Sequence, residues 1–113
     1  MNGYSDKIQM LLQEKDRMLI GGEWVRSRSG KGFSTSDPAT EEKICEVPLA
    51  TEKDVELAVE AAAGAFAGWR KLDAFERAQK VSALANALRQ HAEDLALLDA
   101  IDSGNPVTAM KGD

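Results

Sequence analysis

The sequence predicts an α/β protein in which a β-hairpin and further short strands come first and two to three amphipathic helices follow. Two short runs of β-forming residues flank the pair Gly21-Gly22, a pattern typical of a tight hairpin. Residues 43–47 fit the two-residue period of a half-buried strand, in which Ile44 shares a face with Glu46 and Cys45 shares the other with Val47. Beyond Thr51 the apolar residues recur at intervals typical of helices with one buried face.

With 113 residues and an ordinary composition, the chain should form one small water-soluble domain or part of one. The 14 basic residues are interleaved with 19 acidic ones for a net charge of −5, which argues against a nucleic-acid partner. The single cysteine excludes an internal disulfide and suits a reducing compartment. Because no apolar run is long enough for a membrane span and the N-terminus lacks signal-peptide features, we expect a cytoplasmic protein with no membrane partner.

In the first part of the chain the sequence predicts a short helix and short strands joined by polar turns. Residues 1–18 are an N-terminal extension in which Ser5 can cap a short helix carrying Ile8, and the hairpin follows. Residues 29–32 contain two glycines but lack the strand-to-helix context of a phosphate loop, so we expect a hairpin loop there. Asp37-Pro38 predicts a second turn. The strand after it places Cys45 towards the core.

Three helical segments follow. Thr51 with Asp54, and Asp73 with Glu76, have the spacing of capping boxes. The first helix carries an apolar stripe that we expect to be buried, formed by Val55, Ala58, Val59, Ala62, Phe66 and Trp69, and Gly68 falls at or near its end. The periodicity loosens at residues 89–91, which predicts a break before a third helical piece, and Gly104 fits the left-handed position after it. Alanines make these stripes thin, so the helices should need another surface to pack against.

No catalytic arrangement is visible among these residues, and we assign no catalytic and no cofactor-binding residue. Cys45 lies within an alternating strand, where a cysteine usually behaves as a small apolar side chain. His91 lies at the helical break without a partner at metal-ligand spacing, which favours a surface or capping role. The carboxylates are scattered over helix faces and caps, so they indicate no acid and base pair.

The order of the segments nevertheless resembles the N-terminal region of the aldehyde dehydrogenase superfamily. The matching stretches are Ile20-Gly21-Gly22-Glu23-Trp24-Val25, Ser29-Gly30-Lys31-Gly32-Phe33, Asp37-Pro38-Ala39-Thr40, Ile44, Val47-Pro48, Asp54-Val55, Ala58-Val59, Ala62-Ala63, Ala65-Phe66, Trp69-Arg70, Glu76-Arg77, Leu84-Ala85 and Asp102-Ser103-Gly104-Asn105-Pro106. The resemblance covers residues 19–113 and identifies them as the leading part of the family's cofactor domain. Asp37, Glu41 and Asn105 replace the usual Asn, Gly and Lys at turn positions, which leaves the substrate unassigned.

The resemblance implies that the complete protein oxidises an aldehyde to a carboxylic acid with NAD or NADP, through a cysteine thiohemiacetal. The catalytic groups and the dinucleotide site would lie beyond Asp113, so we expect this chain alone to be inactive and to bind no cofactor. It would be the truncated front end of a homo-oligomeric enzyme, with the remainder of the fold as its partner. The competing interpretation is a noncatalytic scaffold or interaction module that shares the fold.

The resemblance also implies a monovalent cation site. Some family members use main-chain carbonyls before the proline turn and an aspartate near the later glycine, which correspond here to Thr35, Ser36 and Asp102. Oxygen ligands of this kind suit a hard cation. The alternative is that Asp102 only forms hydrogen bonds near the end of its helix.

Overall fold

A computed structural model describes residues 6–111 and contains short antiparallel strands followed by helices. This order confirms the predicted α/β fold class. The elements are α1 (Asp6–Leu11), β1 (Met18–Ile20), β2 (Glu23–Val25), β3 (Gly32–Ser36), β4 (Lys43–Pro48), α2 (Glu52–Trp69), α3 (Ala74–Gln90), α4 (Ala92–Ser103) and α5 (Val107–Met110). The predicted short helix of the N-terminal extension is α1, while its predicted cap, Ser5, lies outside the described residues.

The glycine pair forms the predicted hairpin. β1 and β2 are antiparallel, with Leu19 opposite Trp24. Gly21 and Gly22 connect them with φ angles of 62° and 81°. Two successive left-handed residues match the twist of a tight hairpin, and glycine adopts that conformation without a side-chain clash.

A second hairpin joins β3 and β4, with Thr35 opposite Cys45 and an irregularity between Thr35 and Ser36. The predicted turn at Asp37 closes it, since the Asp37 amide donates to the Glu42 carbonyl at 2.8 Å. The hairpin loop expected at residues 29–32 is wrong, because this segment connects β2 to β3 and these strands belong to different sheets. The Ser29 hydroxyl donates to the Leu49 carbonyl and the Leu49 amide donates to the Lys31 carbonyl, contacts that lie too far along the chain to be read from a local pattern.

The helices begin and end where their capping residues predict. Both capping boxes form, Thr51 with Asp54 on α2 and Asp73 with Glu76 on α3. Gly68 lies in the last turn of α2, and the break between α3 and α4 falls at His91. Gly104 ends α4 with φ 78°, the left-handed position expected for it.

Burial is concentrated around β4 and α4. Ile44 and Cys45 are only 3% and 6% exposed, so both faces of β4 are covered, and the expected burial of Cys45 is confirmed. α1 packs against α4, where Ile8 and Ala96 are buried. Within residues 6–111 no helix is long and apolar enough to cross a membrane.

The apolar stripe of α2 is a correction to the sequence prediction. Val55, Val59 and Phe66 are each more than half exposed, and Trp69 is 39% exposed. α3 likewise exposes large apolar residues, namely Phe75, Val81, Leu84 and Leu88. Helical periodicity shows that apolar side chains share a face, but burial also needs a surface opposite that face. The described residues do not supply one.

Candidate functional site

Two of the three residues predicted to hold a cation lie together. Thr35 is on β3 and Asp102 is in the last turn of α4. The Thr35 hydroxyl donates a hydrogen bond of 2.6 Å to Oδ1 of Asp102. Ser36 follows Thr35 at the end of β3 and is exposed. The fold therefore brings β3 and α4 together through two residues that are 67 positions apart in sequence.

The end of α4 is closed without the Asp102 carboxylate. The Gly104 amide donates to the Ala100 carbonyl at 2.9 Å, and the Ser103 hydroxyl donates to the Asp99 carbonyl at 2.6 Å. The Asp102 side chain bonds across to β3 instead. The predicted cation ligands on β3 were the main-chain carbonyls of Thr35 and Ser36, whereas the observed contact with Asp102 is made by the Thr35 hydroxyl.

The β3–β4 turn also contacts α4 next to this pair. A Cβ atom placed on Gly104 would lie 2.8 Å from Cγ of Pro38, closer than nonbonded carbon atoms approach. Gly104 is therefore required both by its positive φ angle and by the proline that lies against it. The β3–β4 hairpin and the end of α4 are thus in contact at two points, one between Thr35 and Asp102 and the other between Pro38 and Gly104.

Cys45 lies opposite Thr35 but is not suited to nucleophilic chemistry. Burial raises the pKa of its thiol, and the negative charge of Asp102 acts in the same direction, while Lys15 and Lys43 partly oppose them. The neutral thiol is a poor nucleophile. In residues 6–111 no three side chains of His, Cys, Asp or Glu are grouped to hold a metal ion.

His91 and the glycine segment also lack the geometry of a reactive or cofactor site. His91 is exposed between α3 and α4 and makes no side-chain cap hydrogen bond to α4. A surface position was one of the two roles expected for it. Residues 29–32 run from strand to strand, so they do not place a helix N-terminus where a dinucleotide pyrophosphate would need one.

The sequence predicted Asp54 only as a helix cap, but the structure shows a larger polar cluster around it. Its carboxylate is almost completely buried and accepts hydrogen bonds from the amides of Thr51 at 2.8 Å and Arg28 at 3.2 Å. The Ser27 hydroxyl lies 3.1 Å from Oδ2 of Asp54 and also within hydrogen-bond distance of the Leu49 carbonyl. Since one hydroxyl has one proton, it donates to one of these acceptors at a time.

These hydrogen bonds favour the ionised form of the Asp54 carboxyl group. The backbone hydrogen bond from Thr51 is the main cause that lowers the pKa of Asp54, against the opposing effect of burial. The Ser27 hydroxyl and the Arg28 amide lower it further. Asp54 is thus a structural anion that holds the β2–β3 connection on the N-terminus of α2, and no local sequence signal indicated the contacts with Ser27 and Arg28.

Comparisons with known proteins agree with this arrangement of elements. Residues 24–113 match the sequence model of the aldehyde dehydrogenase family. Human retinaldehyde dehydrogenase 3 is 42% identical over 93 residues, which cover 80% of this chain and 18% of that protein. Cytosolic aldehyde dehydrogenase 1 of Elephantulus edwardii is 45% identical over 91 residues, which cover 78% of this chain and 18% of that protein.

The structural comparison extends over more of the chain. The structure of aldehyde dehydrogenase from Bacillus cereus with NAD+ superimposes with a TM-score of 0.89 at 38% identity, covering 97% of this chain and 23% of that one. The chain thus spans about a fifth of the length of these relatives and corresponds to the N-terminal part of their fold. Since the family model covers most of the sequence, the chain belongs to the aldehyde dehydrogenase family.

Proposed function

We propose that this chain is the leading segment of an enzyme that oxidises an aldehyde to a carboxylic acid with NAD or NADP. The observation that carries the proposal is the uncovered apolar surface of α2 and α3 in a chain that matches the N-terminal part of longer dehydrogenases. Val59 is 63% exposed and Leu84 is 62% exposed, whereas such side chains are normally buried. The remainder of the fold is the partner that would cover them.

The segment would contribute structure and no catalytic group. Cys45 is buried with a raised pKa, which removes the only thiol of the chain from consideration as the nucleophile. The described residues do not fit a dinucleotide site, so NAD or NADP would bind to the remainder of the protein. The chain alone should therefore show no aldehyde oxidation and no cofactor binding.

A chimeric enzyme tests this proposal. The corresponding N-terminal segment of the Bacillus cereus aldehyde dehydrogenase is replaced by this chain, and NAD-dependent aldehyde oxidation is measured. We expect the chimera to remain active, and Val59→Asp to abolish activity or soluble assembly because it places a charge in the covered face. Glu60→Gln, on an exposed position of the same helix, is the matched control and should change little. A chimera that folds and binds NAD but oxidises no aldehyde would contradict the proposal.

The competing function is a noncatalytic scaffold, and the surface properties of the free chain distinguish the two. A segment that needs a partner should bind an apolar dye such as ANS and should self-associate. A monomer that unfolds cooperatively and binds no dye would favour the scaffold instead.

We further propose that Thr35, Ser36 and Asp102 contribute to a monovalent cation site. The contact between Thr35 and Asp102 supports it, because it places a carboxylate beside the end of β3. The expected result is a higher unfolding midpoint in NaCl or KCl than in choline chloride at equal ionic strength. Asp102→Asn should remove the difference, whereas Asp99→Asn, an exposed residue on the same helix, should keep it. Equal midpoints in all three salts would contradict the site.

Location and assembly follow from the same proposal. We propose a cytoplasmic enzyme, supported by the free buried thiol and by the cytosolic name of one relative. The complete protein would form a homo-oligomer. Fractionation with an antibody against the natural protein, followed by size-exclusion chromatography of the cytosolic fraction, would test both statements.

A further inference from the structure

We propose that Gly104 is a positioning residue, which keeps Thr35 within hydrogen-bond distance of Asp102 by allowing Pro38 to lie against the end of α4. The first observation is the proximity of Pro38. A Cβ atom at position 104 would be 2.8 Å from Cγ and 3.6 Å from Cβ of that ring. The side chain cannot be added unless the β3–β4 turn or the end of α4 moves.

The turn that carries Pro38 has limited freedom to move away. Asp37 is buried, and its carboxylate accepts a hydrogen bond of 2.8 Å from the Ala39 amide. Its backbone is held to Glu41 and Glu42 by two hydrogen bonds of 2.8 Å. The proline ring itself fixes one backbone angle. A collision at position 104 would therefore displace the turn as a unit.

Thr35 lies only three residues before Pro38, at the end of the strand that leads into this turn. Asp102 lies two residues before Gly104, in the last turn of α4. A displacement that separates Pro38 from Gly104 thus acts on the neighbouring pair, whose hydrogen bond is 2.6 Å long. Hydrogen bonds weaken steeply when distance or angle departs from the favoured geometry. The effect of Gly104 on Thr35 and Asp102 would consequently exceed its effect on distant parts of the fold.

A double-mutant cycle in the full chain tests the inference. Thr35→Val, Asp102→Asn and the double variant are compared by urea unfolding, which gives the coupling between the two side chains. We expect a coupling of about fivefold in the unfolding equilibrium constant. The same cycle is repeated in a Gly104→Ala background. There the coupling factor should fall to about one, which means that the two side chains no longer interact.

Gly30→Ala is the matched control, because Gly30 also has a positive φ angle of 65° but open space around it. It imposes the backbone strain without the collision, and the coupling should remain. Pro38→Ala in the Gly104→Ala background removes the Cγ atom and should restore part of the coupling. Coupling that survives Gly104→Ala, or that Gly30→Ala abolishes equally, would overturn the inference.

If Gly104→Ala does not fold, Pro38→Ala alone provides the test. It loses the packing against Gly104 without adding a side chain, so the coupling should fall while a cooperative transition remains. An unchanged coupling in this variant would also overturn the inference. These outcomes are separate from the cation proposal, which fails if sodium, potassium and choline salts give equal midpoints in the unmodified chain.

Discussion

The carboxylate of Asp54 accepts a hydrogen bond of 2.8 Å from the amide of Thr51, and the Thr51 hydroxyl accepts one of 3.1 Å from the amide of Asp54. This reciprocal pair begins α2. It differs from the equivalent pair on α3 because the Asp54 carboxylate is also bonded to the connection between the two sheets. The Asp54 side chain therefore caps α2 and also makes a tertiary contact, so its removal should weaken both the helix start and the attachment of the β2–β3 connection.

The first prediction compares these two capping boxes. Asp54→Asn should lower the free energy of unfolding by about twice as much as Glu76→Gln, because buried donors lose a charged acceptor while the exposed box remains accessible to water. The measurement is urea unfolding of the 113-residue chain followed by circular dichroism. Equal losses for the two variants would mean that the contacts with Ser27 and Arg28 add nothing.

The second prediction concerns acid stability. The folded-state pKa of Asp54 is lowered, chiefly by the Thr51 backbone hydrogen bond, so folding favours the ionised form. Its contribution is complete above the ordinary aspartate pKa and is lost as the pH falls through the folded value. Stability should therefore decrease below about pH 4 in the unmodified chain and less steeply in Asp54→Asn. Urea midpoints measured from about pH 6 down to about pH 2.5 check this. If the urea midpoint fell equally with pH in the unmodified chain and in Asp54→Asn, this prediction would be contradicted.

These capping residues also show what the sequence could predict. The Thr51 and Asp73 caps, the glycine hairpin and the left-handed Gly104 depend on neighbours within a few residues, so residue type and spacing were sufficient. The resemblance to aldehyde dehydrogenases also predicted that Thr35 and Asp102 lie close together, as their hydrogen bond shows, which no local pattern could do. The cation site itself stays a prediction. The segment 29–32 was misassigned because its hydrogen-bond partner, Leu49, is distant in sequence. The exposed stripe of α2 was misassigned because periodicity carries no information on whether an opposing surface is present.

The third prediction concerns the reactivity of Cys45. Because burial raises the pKa of the thiol and limits access, iodoacetamide should modify the folded chain at least about tenfold more slowly than the urea-unfolded chain at pH 8. The rate is measured by mass spectrometry, and Cys45→Ala provides the blank. Similar rates in the two states would show that β4 does not keep its burial in solution.

The fourth prediction concerns Glu41, which has a φ of 63° and is the one residue other than glycine with a positive φ among residues 6–111. Glu41→Gly should stabilise the chain by up to about 1 kcal/mol, since relief of left-handed strain exceeds the added freedom of the unfolded chain. Ala39→Gly in the same turn has no such strain to relieve and should destabilise. Urea midpoints of both variants provide the comparison, and a loss of stability in Glu41→Gly would contradict the strain.

The fifth prediction tests whether the N-terminal extension contributes to the core. Ile8 is 0% exposed on α1, whereas Met10 on the same helix is 67% exposed. Ile8→Ala should reduce the free energy of unfolding by about 2 kcal/mol, near the low end for a buried isoleucine because a short terminal helix can shift to fill the space. Met10→Ala should cost less than about 0.5 kcal/mol. If Ile8→Ala were as mild as Met10→Ala, α1 would not be packed on α4 in solution. A large loss would instead show that residues before the family match help to hold α4, the helix that carries Asp102.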